Sequence, residues 1–187
     1  MFFDELDEFL EGFRRRNIPA EKKPPRLRED IIDELLDLYL LAYYEGSKDA
    51  GRELMMDVEP SVEDAERIIN RPIADKTFEE RVTDYLNGQM GETTGTPAEA
   101  IARVAETDSV RIYNEAKLET AVSHGAKEKT WHTMEDDKVR DTHILLDGVT
   151  APIDGYFYTY TGAMAQAPGQ FGEASEDCGC RCFLTVK

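Results

Sequence analysis

The residues best equipped for chemistry lie near the C-terminus: Cys178, Cys180 and Cys182, with His132 and His143 upstream. The thiols alternate along the chain, and in an extended segment alternate side chains share one face. Three thiols on one face, joined by His143 or His132, could form a tetrahedral zinc site. A structural zinc there would staple a module whose core is thin. The plainer reading is reduced cysteines packed as small apolar groups. An odd number of thiols gives no disulfide framework, and a reducing cytosol disfavours one. A third reading is catalytic, with Cys180 or Cys182 as nucleophile, His143 as base, and Asp137 or Asp147 orienting it. Against that reading, the cysteines sit in a segment that looks like a final strand. The sequence also shows no nucleophile elbow, Gly-rich phosphate loop or His-Glu-x-x-His motif.

The same stretch carries Trp131, the sole tryptophan, and then Asp137, Arg140, His143 and Asp147. We read these as structural. Trp131 should centre a core, and Asp137, Arg140 and His143 should form a local ion-pair and capping cluster that holds a turn.

Other elements must position these groups. Residues 2–13 place Phe2, Phe3, Leu6, Phe9, Leu10 and Phe13 at near-helical spacing. Arg14-Arg15-Arg16 follows, either as a solvated helix end or as a docking contact for an acidic partner. Pro19, Pro24 and Pro25 make residues 19–25 an extended connector. A strongly apolar helix is expected over 27–44, striped by Ile31, Leu35, Leu38 and Ala42 and stopped by Gly46. Ser61 with Asp64 and Thr77 with Glu80 fit capping boxes. Thr96-Pro97-Ala98-Glu99 opens the best-signalled helix, which Gly125 should end. Its apolar arc includes Asp108, Glu115 and Glu119. These need Arg, Lys or backbone partners, or else they orient polar groups from the C-terminal region. Beyond Gly125 the pattern predicts strands at 129–134, 156–160 and 183–186, one or two helical turns within 138–146, and a loop over 162–175. The fold class is α+β: a helical N-terminal half, then a small mixed module with a short antiparallel sheet. The organisation reads as a helical or extended arm over 1–26, a helical region over 27–95 and a module over 96–187.

The chain has 39 acidic residues against 22 basic ones, for a net charge of -17. Such a molecule repels phosphates, so strong nucleic-acid binding is not expected. No stretch nears the roughly 18–20 apolar residues of a membrane span. The start lacks the basic and apolar regions of a signal peptide, so cytosolic synthesis is expected.

The order Trp131, Asp137, Arg140, His143, Leu146-Asp147-Gly148, Pro168-Gly169 and Cys180-Arg181-Cys182 resembles the signature of the phage Mu protein F-like, or head morphogenesis, family. Thr107-Asp108 and Tyr113-Asn114-Glu115 resemble its preceding helix, so the likeness covers residues 97–184. Glu106 stands where the family often has Arg, Gly179 where Asn often precedes the Cys-Arg-Cys, and Cys178 is additional. The resemblance implies a minor capsid protein, made in the host cytoplasm and kept in the phage head interior near the portal. Its implied partners are the portal protein and scaffold or major capsid protein, and no membrane. It implies no catalysis, and it favours Cys180, Cys182 and His143 as metal ligands. The negative charge then suits either a basic protein surface or exclusion from packaged DNA. The competing function is a Cys/His or metal-dependent enzyme, or a phage-encoded effector.

Overall fold

The computed structural model describes residues 2–16, 18, 25–87 and 95–187. The helical half comprises α1 (Phe2–Arg14), α2 (Pro25–Leu54), α3 (Val62–Ile69), α4 (Phe78–Leu86) and α5 (Pro97–Ser123). Then come β1 (Glu128–His132), α6 (Asp141–Ile144), β2 (Thr150–Pro152), β3 (Phe157–Tyr158), β4 (Met164–Ala165), α7 (Ala174–Asp177) and β5 (Phe183–Val186). The α+β class read from the sequence holds. The proline connector at 19–24 lies outside the described residues.

α5 is the axis of the molecule. Thr96 accepts from the Glu99 amide while Glu99 accepts from the Thr96 amide, a complete capping box with Pro97 in the first turn. Gly125 leaves the helix with φ at 80°. Every residue over 108–118 is buried. α2 lies along α5, and a Cβ at Gly46 would fall 2.2 Å from the Tyr113 carbonyl oxygen. Gly46 is therefore the point of closest approach and not a helix stop, and α2 runs on to Leu54. Local pattern favoured termination there, but packing against α5 holds the helix together beyond the glycine.

α1 buries Phe2, Phe3, Leu6, Leu10 and Phe13 and exposes its acidic face. A 13-residue helix is marginal alone in water, so this apolar face supplies its stability. Phe2 stacks on Tyr113 with ring centres 5.0 Å apart, and Phe3 meets Phe183 of β5 at 5.9 Å. The arginine run is spent within the chain: Arg14 meets Glu106, Arg15 meets Glu11 and Arg16 meets Glu34.

The main sheet has order β2-β1-β5, antiparallel throughout, with Trp131 opposite Leu184. β3 pairs with β4 as a separate ribbon. β2, β4 and α7 are too short for their periodicity to mark them beforehand, so the predicted loop over 162–175 contains both β4 and the start of α7. The free edge of β5 faces the helices, where no strand can satisfy it. Asn114 accepts from the Leu184 amide and donates to the Cys182 carbonyl, each at 3.0 Å. Glu53 of α2 accepts from the Val186 amide at 2.7 Å and pairs with the buried Lys117. Two side chains thus stand in for a missing strand.

Replacing Asn114 by Ala leaves a buried N–H and C=O unpaired, and is expected to cost about 2–4 kcal/mol. Urea unfolding reads this directly, and a cost under about 0.5 kcal/mol would refute the clamp.

Lys129 carries a buried ammonium, 1% exposed, with no hydrogen-bond partner among the described residues. Burial lowers its pKa to about 8, against the opposing charge of Asp154. A lowered lysine pKa means the charge opposes folding fully below about pH 8. That penalty fades as pH rises toward the unfolded value of about 10.4. Lys129→Met should therefore stabilise the fold by about 1–3 kcal/mol near pH 7, with the gain shrinking toward pH 10. A pH-independent difference between the two proteins would contradict this assignment.

Candidate functional site

The carboxylates of α5 are satisfied within the helical half. Asp108 takes a hydrogen bond from the Tyr39 hydroxyl and pairs with the nearly buried Arg81. Glu115 pairs with Arg111 and Arg71, and Glu119 with Arg67. Arg111 also donates to the Ile68 carbonyl, tying α3 to α5. These groups form a structural network, and among the described residues none of them bonds to Cys180 or Cys182, whose side-chain partner is His143.

The site forms where the chain after α7 threads between α5 and α6. Thr107 and Asn114 lie seven residues apart, close to two helical turns, so they share one side of α5. Thr107 Oγ1 accepts from the Gly179 amide at 3.1 Å, and Asn114 holds Cys182 and Leu184. The intervening Cys180 and Cys182 are held with both side chains turned toward α6. Gly169, with φ at 80°, lets the Pro168-Gly169 turn lie on α5, where a Cβ would fall 3.1 Å from Arg111.

α6 contributes His143, which is 1% exposed. Its Nδ1 lies 3.6 Å from the sulfur of Cys180 and 3.6 Å from that of Cys182. Its Nε2 lies 3.1 Å from Glu176 Oε2, without the alignment of a hydrogen bond. Thr142 donates to the same Glu176 oxygen at 2.7 Å. The imidazole stacks on Phe171, with ring centres 5.4 Å apart, and meets the edge of Trp131 at 5.5 Å. Trp131 is fully buried and packs with Phe157, Leu184, Cys180 and Cys182. The core expected around this tryptophan is present.

The two thiols are unequal. A hydrogen bond from Cys182 holds the Cys180 thiol well below its usual range, with help from His143 and against the effect of burial. The same contact, together with burial, pushes Cys182 up, opposed by the Trp131 indole N–H. The arrangement favours one thiolate beside one thiol in a dry setting. A cleft of about 10 Å³, bordered by Asp136, Arg140, His143, Cys180, Arg181 and Cys182, adjoins them. It holds roughly one water.

The other sequence candidates fall elsewhere. Cys178 is exposed and stands outside the trio of His143, Cys180 and Cys182. It caps α7, and Gly179 at φ 70° turns the chain, so strand alternation begins only at Cys180. His132 faces the other side of β1, stacked on Phe183 and bonded to Thr185. Asp137 is exposed and makes no hydrogen bond or ion pair with Arg140 or His143 among the described residues. Arg140 instead donates to the Cys178 carbonyl. Asp147 accepts from the backbone and hydroxyl of Thr133 at 2.7 and 3.1 Å, closing the turn after β1. The carboxylate beside His143 is Glu176, which the sequence reading missed. Only its position 33 residues on from His143, just past a supposed loop, was visible there.

The phage Mu protein F like family matches residues 63–185. The chain belongs to this family. It is 26% identical to the minor head protein GP7 of Bacillus phage SPP1 over 91% of its length, and spans 64% of that protein. It is 28% identical to the NAD(+)--arginine ADP-ribosyltransferase EFV of Enterococcus faecalis over 71% of its length, and spans 28% of that protein. No solved structure matches the chain.

If the cluster is built as described, His143→Ala opens a cavity in the Trp131 core and costs about 2–4 kcal/mol, whereas Asp137→Ala stays within about 0.5 kcal/mol. Equal effects of the two substitutions in thermal unfolding would reverse that ranking of roles.

Proposed function

We propose that this chain is a minor head protein of a tailed phage or prophage, associating with the portal during procapsid assembly and acting without catalysis. The observation that carries the reading is what the family's pattern residues do. Thr107 and Asn114 clamp the last segment, Trp131 fills the core, Asp147 closes a turn, and Gly169 allows a loop to lie on α5. Each holds the module in shape, as an assembly part requires. The match to GP7 along 91% of the chain supports the same role.

The matches to GP7 and to the ADP-ribosyltransferase cover 91% and 71% of the chain, so they overlap. What two proteins with such different names share is better read as a common attachment or assembly module than as an active site. The geometry at the cysteines agrees. Cys180 and Cys182 are 2% and 3% exposed, and the adjoining cleft of about 10 Å³ has no room for a substrate. The net charge of -17 suits a basic surface on the partner.

The test is co-expression of the full chain with the portal protein encoded beside it, followed by native mass spectrometry of the purified complex. A defined complex of the two chains is the expected result. If the chain ignores the portal but is recovered with scaffold or major capsid protein, the portal contact is wrong while the head role stands. Recovery with none of the three, and absence from purified heads, would overturn the proposal.

A further inference from the structure

The trio of His143, Cys180 and Cys182 has the chemistry and spacing of a metal centre that does not depend on any role in the head. A tetrahedral zinc with Zn–S near 2.3 Å and Zn–N near 2.0–2.1 Å sets its sulfur and nitrogen ligands about 3.5–3.6 Å apart. Both sulfurs stand 3.6 Å from Nδ1 of His143, and all three donor atoms lie within 4.8 Å of one another. The donors come from two elements that are 37 and 39 residues apart in sequence, and no hairpin geometry forces them together.

The surroundings fit as well. Metal-bound imidazoles commonly present the other ring nitrogen to a carboxylate, which fixes the tautomer. Glu176 stands 3.1 Å from Nε2, itself steadied by Thr142. The Trp131 indole N–H faces the Cys182 sulfur, where it favours the thiolate form that a metal takes. Two thiolates and a neutral imidazole balance the charge of a divalent ion, so burial does not penalise the assembled site. Soft sulfur with imidazole selects zinc over magnesium or calcium.

We propose that His143, Cys180 and Cys182 bind one zinc ion, with a water in the adjoining cleft as fourth ligand and with Cys178 taking no part. On binding, both sulfurs end as thiolates, and the remaining thiol proton leaves to solvent. The ion then staples α6, a helix of four residues that cannot persist alone, to the segment entering β5. Its role is structural, joining the two sides of the Trp131 core.

The experiment uses the full chain, purified in reductant from cells supplied with zinc, and weighed by native mass spectrometry. A single zinc per chain is expected, and replacement by cobalt(II) should give the thiolate charge-transfer and tetrahedral ligand-field bands. Cys178→Ser should keep the metal, while Cys180→Ser, Cys182→Ser and His143→Asn should lose it. Because the last three could simply unfold, His143→Cys serves as the positive control, offering a third thiolate and retaining zinc. A metal-free wild type without a cobalt spectrum would overturn the site. So would loss of zinc from Cys178→Ser alone, or a Cys180–Cys182 disulfide that persists in reductant.

Discussion

The architecture depends on how the open edge of β5 is satisfied. That strand lies at the border of the sheet and is pressed against two helices, where neither water nor another strand can pair with it. An unpaired N–H or C=O in such a place costs free energy comparable to a lost hydrogen bond. Asn114 resolves this because its amide carries both a donor and an acceptor, as a peptide unit does. It offers both to alternate residues along that edge, the Cys182 carbonyl and the Leu184 amide, at 3.0 Å. An aspartate would lack the donor, and a leucine would lack both groups. Glu53 serves the next amide along, and its own charge is answered by Lys117.

This clamp fixes more than a strand. With Thr107 a little under two turns earlier on α5, it sets the path of the chain through Gly179, Cys180 and Cys182. That path is what delivers two sulfurs to His143. The site is therefore built from the outside inward: helix side chains hold backbone, the backbone aims the thiols, and Phe171 and Trp131 hold the imidazole that meets them. Charged groups along α5 contribute by pairing locally, so that Asp108, Arg111 and Glu115 can be buried without competing for the cysteines. The helical half is thus a rigid base for the small module. The proposed head role asks for such rigidity, since an assembly contact gains affinity when its surface is already ordered.

Much of the helical half was legible in the sequence because its signals are local. A capping threonine with glutamate three positions on, a proline in the first turn and a glycine at the exit define α5 without reference to anything distant. The stripe of Phe2, Leu6, Leu10 and Phe13 likewise follows from the period of a helix. The same local logic failed at Gly46, where a residue that ends helices in isolation sits inside one. Its lack of a side chain serves the contact with Tyr113 instead. The strands at 183–186 and 156–160 were also legible from their β-branched and aromatic residues, the second forming only the two residues of β3, whereas β2 and β4 are two or three residues long and have no period to read.

At the site, the sequence by itself determined the inventory: two thiols in a Cys-Arg-Cys, a histidine 37 residues before the first of them, and a single tryptophan to pack beside them. It could not determine the partners, because these are separated by dozens of residues and chosen by how loops fold back. Spacing suggested Asp137 as the companion of His143, yet the helical turn of α6 carries the imidazole inward while Asp137 stays at the surface. Glu176 takes that place from a turn with no periodic signal. Strand alternation suggested a third thiol, and a positive φ at Gly179 removed Cys178 from the face. Types and local periods are written in the chain, but which distant groups meet is decided only when burial makes every polar atom find a partner.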